Sequence, residues 1–384
     1  MWPESADSKQ GEAPPTLRTG LTTGSCATAC CVAAATHLFS QQMPAYVSIT
    51  LPERKSKRQS VDLEIIEYLT LEKGVRTSTI KNAGDDPDVT HGATVFVELQ
   101  LTPEPGVQFV AGPGVGTVTR EGLLLPVGEP AINPVPRQMM TEHLERQAQY
   151  YHYSGGFIVA VGVENGEAIA QKTMNPRLGI MGGLSILGTT GIVRPFSCAA
   201  WVASIYQGID VANANGHLHI AASTGNRSEE TIKAYYQLDD MALIEMGDFA
   251  GAVLKHLKQG KSDTLAINKL SICGGFGKIS KLAQGHMDLN SRASAIDFTF
   301  LAAVARDLGA DDKLCAAIQA SNTSIEALKH CQAQHIDLAK VLCQKAQTVA
   351  QAIVAENIKV EVMAIDRQGY IVGSTSALAG DIDA

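Results

Sequence analysis

The residue types best suited to meeting a polar ligand are concentrated in Leu178-Gly-Ile-Met-Gly-Gly-Leu-Ser-Ile-Leu-Gly-Thr-Thr-Gly-Ile-Val-Arg-Pro-Phe-Ser197. An apolar start runs into a loop that combines Gly182, Gly183, Gly188 and Gly191 with the hydroxyls of Ser185, Thr189 and Thr190, ahead of Arg194 and Pro195. A strand, a glycine loop and a helix N-terminus would turn backbone N–H groups toward a ligand, with glycine needed where a Cβ would block positive φ or close approach. A flexible surface loop is the plain alternative. Two further glycine-bearing loops follow strand-like runs, Ser223-Thr224-Gly225-Asn226 and Gly274-Gly275-Phe276-Gly277.

Carboxylates gather in Lys81-Asn-Ala-Gly-Asp85-Asp86-Pro-Asp88-Val-Thr-His91-Gly92. Packed around a turn they repel one another unless they bind a cation, accept backbone N–H bonds or hold ligand hydroxyls. The spacing does not fit a calcium loop, so no metal is assigned. Gly285-His286-Met-Asp288-Leu-Asn290-Ser291-Arg292 joins a titratable pair to a capping residue and a guanidinium, a junction suited to an anion at a helix start. His217 and His219 would share one side of a strand, but no third ligand stands at metal spacing. Gly112-Pro-Gly114-Val-Gly116 opens no helix, and Gly274-Gly-Phe-Gly-Lys278 lacks both the first glycine and the Ser or Thr of a phosphate loop.

The elements that must position these residues change character along the chain. Cys26–Gln42 reads as a helix behind Thr22-Thr23-Gly24-Ser25, and Val47–Leu51, Val61–Thr70, Val75–Lys81 and Ala93–Leu101 read as strands. Pro113, Pro126, Pro130, Pro134 and Pro136 mark an ordered excursion rather than a helix. From Phe157 onward strands alternate with helices, and Asp311–Glu356 reads as successive helices. The expected fold is therefore α/β in two domains: a disordered tail over 1–15, an N-terminal α+β domain over 16–150, and a doubly wound, Rossmann-like α/β domain over 151–384 with C-terminal helices.

With 384 residues, 45% of them hydrophobic, each domain can bury a core. The formal charge of −8 gives no footprint for nucleic acid, and no apolar run is long enough to span a membrane. A cytoplasmic protein is expected. The eight cysteines sit mostly in apolar stretches and read as reduced and buried. A homo-oligomer is compatible with the chain.

Leu21-Thr-Thr-Gly-Ser-Cys-Ala-Thr-Ala29, Ala83-Gly-Asp-Asp-Pro-Asp-Val-Thr-His-Gly92, Gly188-Thr-Thr-Gly-Ile-Val-Arg-Pro195 and Gly277-Lys-Ile-Ser-Lys-Leu-Ala283 resemble, in this order, the blocks of the cobalt-precorrin-5B C1-methyltransferases of anaerobic cobalamin biosynthesis. The resemblance runs from Leu17 to about Thr375. It implies transfer of a methyl group from S-adenosylmethionine to carbon 1 of a cobalt-containing tetrapyrrole. The chain departs from the family pattern at Asp288-Leu-Asn290-Ser-Arg292, where a Thr-His-Ser-Arg string is expected, with His286 nearby.

On this reading Gly182, Gly183, Ser185, Thr189, Thr190 and Gly191, helped by Thr224, Gly225 and Asn226, are expected to hold S-adenosylmethionine. A polycarboxylate macrocycle would be met by Arg18, Lys81, Arg194, Lys278, Lys281 and Arg292, with Thr22, Thr23, Ser25, Asp88, His91 and Ser291. Asp85, Asp86, His286 and Asp288 are the catalytic candidates. Two rivals are a nicotinamide-dependent oxidoreductase, weakened by the missing G-x-G-x-x-G, and a non-catalytic tetrapyrrole-binding protein.

Overall fold

A computed structural model describes residues 17–53, 59–259 and 266–376. The expected tail over 1–15 lies outside them. The fold is mixed α/β, and the chain divides into two compact units. One comprises Met1–Thr119, Val127–Pro176 and Ile180–Ser197; the other comprises Arg120–Pro126, Arg177–Gly179 and Cys198–Ala384.

The first unit is built on a five-stranded sheet with the order Glu67–Thr70, Val75–Ile80, Thr94–Thr102, Gly156–Val163, Gly106–Ala111. Only the last pair is parallel. Helix Thr23–Ser40 packs on this sheet, beginning at the cap of Thr22, whose hydroxyl accepts the Ser25 N–H. Its small residues, Cys26, Ala27, Ala29, Cys30, Cys31, Ala33, Ala34 and Ala35, are all buried because the second helix Pro134–Tyr150 covers it from another side. Burial pushes the Cys26 thiol up to about 12 and raises Cys30 and Cys31 as well, so these thiols are not nucleophiles at neutral pH.

Two expectations change here. The boundary at 150/151 does not coincide with the division at Ser197/Cys198, because Gly156–Val163 is bonded along its length to Thr94–Thr102 on one side and to Gly106–Ala111 on the other. Its apolar character marks a buried strand without naming its neighbours, and the pairing is what assigns it to the first unit. The proline excursion does contain a helix, since Pro134 occupies the first helical position, where a missing N–H costs nothing.

The second unit holds the sheet Leu243–Glu245, His219–Ser223, Lys269–Gly275, Lys359–Ile365, Ile371–Ser374, in that spatial order. The first four strands are parallel and the last is antiparallel. Its core joins Ile220, Ile272, Phe276, Leu301, Leu342 and Val362 from strands and surrounding helices. No helix among the described residues is long and apolar enough to cross a membrane.

Candidate functional site

In the first unit the acidic turn and the glycine loop are both knitted into the N-terminal segment. Asp85 takes the Arg18 backbone N–H at 2.7 Å and its guanidinium at 3.0 and 2.9 Å. The backbone N–H and then the guanidinium hold its carboxyl below the usual range, which leaves it no proton to give near neutrality. Asp86 accepts the Phe196 N–H at 2.9 Å, and His91 Nδ1 accepts the Ala83 N–H at 3.1 Å. Lys81, only 4% exposed, pairs with Asp88 at 2.5 Å and also bonds the Thr90 hydroxyl. Burial pushes the Asp88 carboxyl up, but the Lys81 ammonium and the Thr90 donors outweigh it and hold it low.

The Gly182–Gly191 loop also lies wholly in the first unit. It is not flanked by the expected strand and helix: Ile180–Met181 is a two-residue strand, and the next helix starts at Cys198 rather than at Pro195. Most of its glycines answer to packing. A Cβ on Gly183 would lie 2.3 Å from the Gly114 backbone; on Gly188, at φ +122°, 2.9 Å from the Thr22 side chain; on Gly191, at φ +73°, 2.7 Å from Leu51 and 2.8 Å from the Ser25 hydroxyl. The Gly191 carbonyl accepts the Thr22 N–H at 3.0 Å and the Ser25 hydroxyl at 2.7 Å, so Thr22, Thr23 and Ser25 are buried parts of a lock rather than an open binding edge. Ser185 bonds Asn175 and the Thr190 hydroxyl turns to Ile192, while Gly182 and Thr189 stay exposed.

The second unit presents a different surface at the carboxyl ends of its parallel strands. The chain leaves His219–Ser223 for the neighbour on one side, Leu243–Glu245, and later takes Lys269–Gly275 on the other side. Such a reversal opens a crevice in which ligands of parallel α/β sheets bind. Ser223 closes the strand His219–Ser223, and its hydroxyl is the one buried side-chain oxygen or nitrogen among the described residues without a hydrogen-bond partner, in a residue only 1% exposed. An orphaned hydroxyl of this kind costs free energy unless something meets it. Gly225 begins helix Asn226–Tyr236, which no side chain caps, and neither Gly225 nor Gly275 has anything within 4 Å of where a Cβ would stand. At the end of the adjacent strand, burial and then the Glu229 charge raise the Glu245 carboxyl above the ordinary value.

Beside these, Asp248 gathers its neighbours: Lys278 Nζ and Asn290 Nδ2 donate to its carboxylate, and its carbonyl accepts the Leu289 N–H. Lys281 is buried against the Leu289 carbonyl at 3.0 Å, and burial lowers the pKa of its ammonium. Asn290 caps a turn and not a helix, since the helix begins at Phe298 behind Asp297; His286, Asp288, Ser291 and Arg292 are exposed on this segment.

Toward the other ends of the same strands lies a polar network. His219 Nε2 meets the Ser271 hydroxyl at 2.8 Å, and Glu361 takes bonds from Tyr236, Ser376, Lys269 and Lys359. Burial pushes Glu361 up, but those donors hold it at about 2; burial, then Lys269, depresses His219 to about 4. No group of His, Cys, Asp and Glu able to hold a metal ion occurs among the described residues.

Reading residues by type puts Gly182–Gly191 and Thr224–Asn226 together in one domain, whereas the structure places them in separate units. That reading names Ser223 only as the start of a loop and passes over Glu245 and Asp248, residues whose distinction lies in burial and strand order. The one signal for Glu245 in the sequence is an acidic residue about twenty positions after Gly225, the glycine between a strand and a helix.

The family model described as CbiD matches residues 10–195, close to the first unit, and the model described as CbiD, C-terminal domain, matches 288–376. A cobalt-precorrin-5B C(1)-methyltransferase of a Marinomonas species is 65% identical over 97% of both chains. That of Burkholderia cenocepacia is 60% identical over 94% of this chain and 98% of its own. A crystal structure of the cobalamin biosynthesis protein cbiD from Archaeoglobus fulgidus is 26% identical, with 68% of this chain and 78% of that one covered at a TM-score of 0.37. On the near-complete alignment with these relatives, the chain belongs to the CbiD family.

Proposed function

We propose that this protein transfers a methyl group from S-adenosylmethionine to carbon 1 of cobalt-precorrin-5B, giving cobalt-precorrin-6A in anaerobic cobalamin biosynthesis. The relatives that carry this activity in their names align over nearly all of the chain. We take the parallel sheet of the second unit as doubly wound and Rossmann-like, and seat the methyl donor at its strand ends. The observation that carries this seat is the orphaned Ser223 hydroxyl below an uncapped helix start, flanked by the open Gly225 and Gly275.

In this seat the first turn of Asn226–Tyr236 and the Ser223 hydroxyl would meet the donor's amino-acid end, with Thr224 and Asn226 beside them. Glu245 would accept from ribose hydroxyls, which suits a carboxylate at the end of the neighbouring strand. A nicotinamide dinucleotide would use the same acid, but its pyrophosphate needs a glycine-rich turn, and Gly225 stands alone after Ser223. When bound, the sulfonium supplies a methyl group already activated for displacement. The protein's part is therefore to orient and to exclude water, which asks for no acid–base triad. Asp85 and Asp86, each holding a backbone N–H, serve as positioning groups in the first unit. In the second unit the exposed Arg292 would meet a substrate carboxylate.

Methyl-labelled S-adenosylmethionine incubated with cobalt-precorrin-5B should place label on the macrocycle, and reduction by NADH without label transfer would overturn the assignment. For the seat, Ser223→Ala removes an unsatisfied buried hydroxyl. The ligand-free variant should therefore keep or gain about 1 kcal/mol of stability while losing roughly fivefold in S-adenosylhomocysteine affinity. Unchanged affinity would move the seat elsewhere.

A further inference from the structure

We infer that Trp201 is the plate on which the adenine ring of the methyl donor stacks; this rests on the cofactor seat proposed above. Trp201 lies in the first turn of helix Cys198–Ala214 and leaves 39% of its surface exposed. Its indole is nonetheless fixed. Nε1 donates to the Glu245 carbonyl at 3.2 Å, and the ring lies over Gly247, with Cζ2, Cε2 and Nε1 at 3.4–3.5 Å from where a Cβ would stand. Gly247 takes φ +56°, a conformation that favours glycine, so the loop under the ring is shaped without a side chain of its own.

The ring is also continuous with the seat. The Met246 and Gly247 N–H groups donate to the Ser223 carbonyl at 3.0 and 3.1 Å, and Ser223 pairs in register with Glu245. Along one rim the protein therefore offers an orphaned hydroxyl at a helix start, then a half-buried carboxylate, then an aromatic face. An amino acid, a ribose and a purine joined in that order present the complementary chemistry. The exposed neighbours on the helix, Cys198, Ala199, Ala200 and Ala203, are too small to cover the indole, while a rigid ring pinned by its own N–H loses little entropy on stacking.

The test uses fluorescence, because the chain has two tryptophans, Trp2 and Trp201, and the first can be replaced. In full-length Trp2→Phe protein the emission comes from Trp201. S-adenosylhomocysteine and methylthioadenosine should both quench it, and methionine should not. Trp201→Leu should bind S-adenosylhomocysteine about tenfold more weakly, and Trp201→Phe should recover most of that loss, because base stacking on an aromatic ring tolerates the exchange. Calorimetric binding of S-adenosylhomocysteine without quenching, and with unchanged affinity in Trp201→Leu, would overturn the role of Trp201 and leave the seat standing. Absence of any calorimetric binding to the Trp2→Phe protein would overturn both.

Discussion

Glycines gather in two regions of this protein for opposite reasons. Along Gly182–Gly191 a Cβ would collide with backbone or with buried side chains at Gly183, Gly188 and Gly191, so these glycines allow two parts of the first unit to touch. At Gly225 and Gly275 nothing stands within 4 Å, so these glycines leave space. Glycine content alone does not separate a joint from a ligand seat. In the joint the place of the missing Cβ is already taken by protein at Gly183, Gly188 and Gly191, with Gly182 open; at the seat Gly225 and Gly275 are open and Gly274 is closed by Thr224.

The comparison predicts its own largest effect in the joint. Gly191→Val forces a branched side chain at φ +73° into Leu51 and Ser25, and should destabilise the first unit by at least ~3 kcal/mol, visible as a melting temperature lowered by several degrees. A glycine kept only for a ligand would instead spare the fold and lose cofactor binding, and the packing around Gly191 argues against that. Gly114→Val, at φ +79° with its Cβ 2.0 Å from the Val163 carbonyl, should be equally damaging. A normally folded Gly191→Val protein would break the comparison.

Glu361→Ala should come close behind in the second unit. It takes the carboxylate from the half-buried Lys269 and leaves the Tyr236 hydroxyl with Ser376 alone, at a cost of about 2 kcal/mol by denaturant titration. The strand-end rim lies elsewhere on the sheet, so S-adenosylhomocysteine affinity should hold once the protein is folded. Arg292→Ala should act the other way, leaving the melting temperature alone while weakening substrate binding about tenfold, as loss of one charge-assisted contact does. A stability loss with unchanged substrate affinity would make Arg292 a structural residue.

The smallest effect concerns pH. Facing Ser271, Tyr236, Lys269 and Glu361, His219 is held near 4, below the ordinary imidazole value of about 6.5. The unfolded chain takes up a proton between those limits and the folded chain does not. Stability from this site is therefore complete above about pH 6.5 and is lost as pH falls toward 4. His219→Gln should flatten that part of the melting profile relative to the parent, and identical slopes between pH 7 and 5 would remove His219 from the account.

Local chemistry was legible wherever it acts over short distances. The cap at Thr22, the small-residue helix behind it, and strands such as Val75–Ile80 and Gly156–Val163 follow from residue type and period. The partner of Gly156–Val163 was not legible, because an apolar strand says that it is buried and not beside which neighbour. The same limit hid the seat. Ser223 and Glu245 are ordinary in sequence and become distinctive only when pairing sets them side by side at a strand reversal. The Gly182–Gly191 loop was the most conspicuous string in the chain, and its glycines answer mainly to Thr22, Ser25 and Gly114.

On the function proposed above, the methyl donor sits at the strand ends of the second unit and not on the glycine loop of the first. Calorimetric titration of S-adenosylhomocysteine into Gly225→Val and Gly182→Ala tests it most directly, because both positions have room for the new side chain: Gly225 has extended backbone and Gly182, though at φ +84°, is exposed with nothing nearby. The account predicts parent-like melting for Gly225→Val with binding reduced at least ~30-fold, since a valine would fill the space left for the ligand, and near-parent affinity for Gly182→Ala. Full affinity in Gly225→Val together with loss in Gly182→Ala would return the cofactor to the glycine loop and contradict the account.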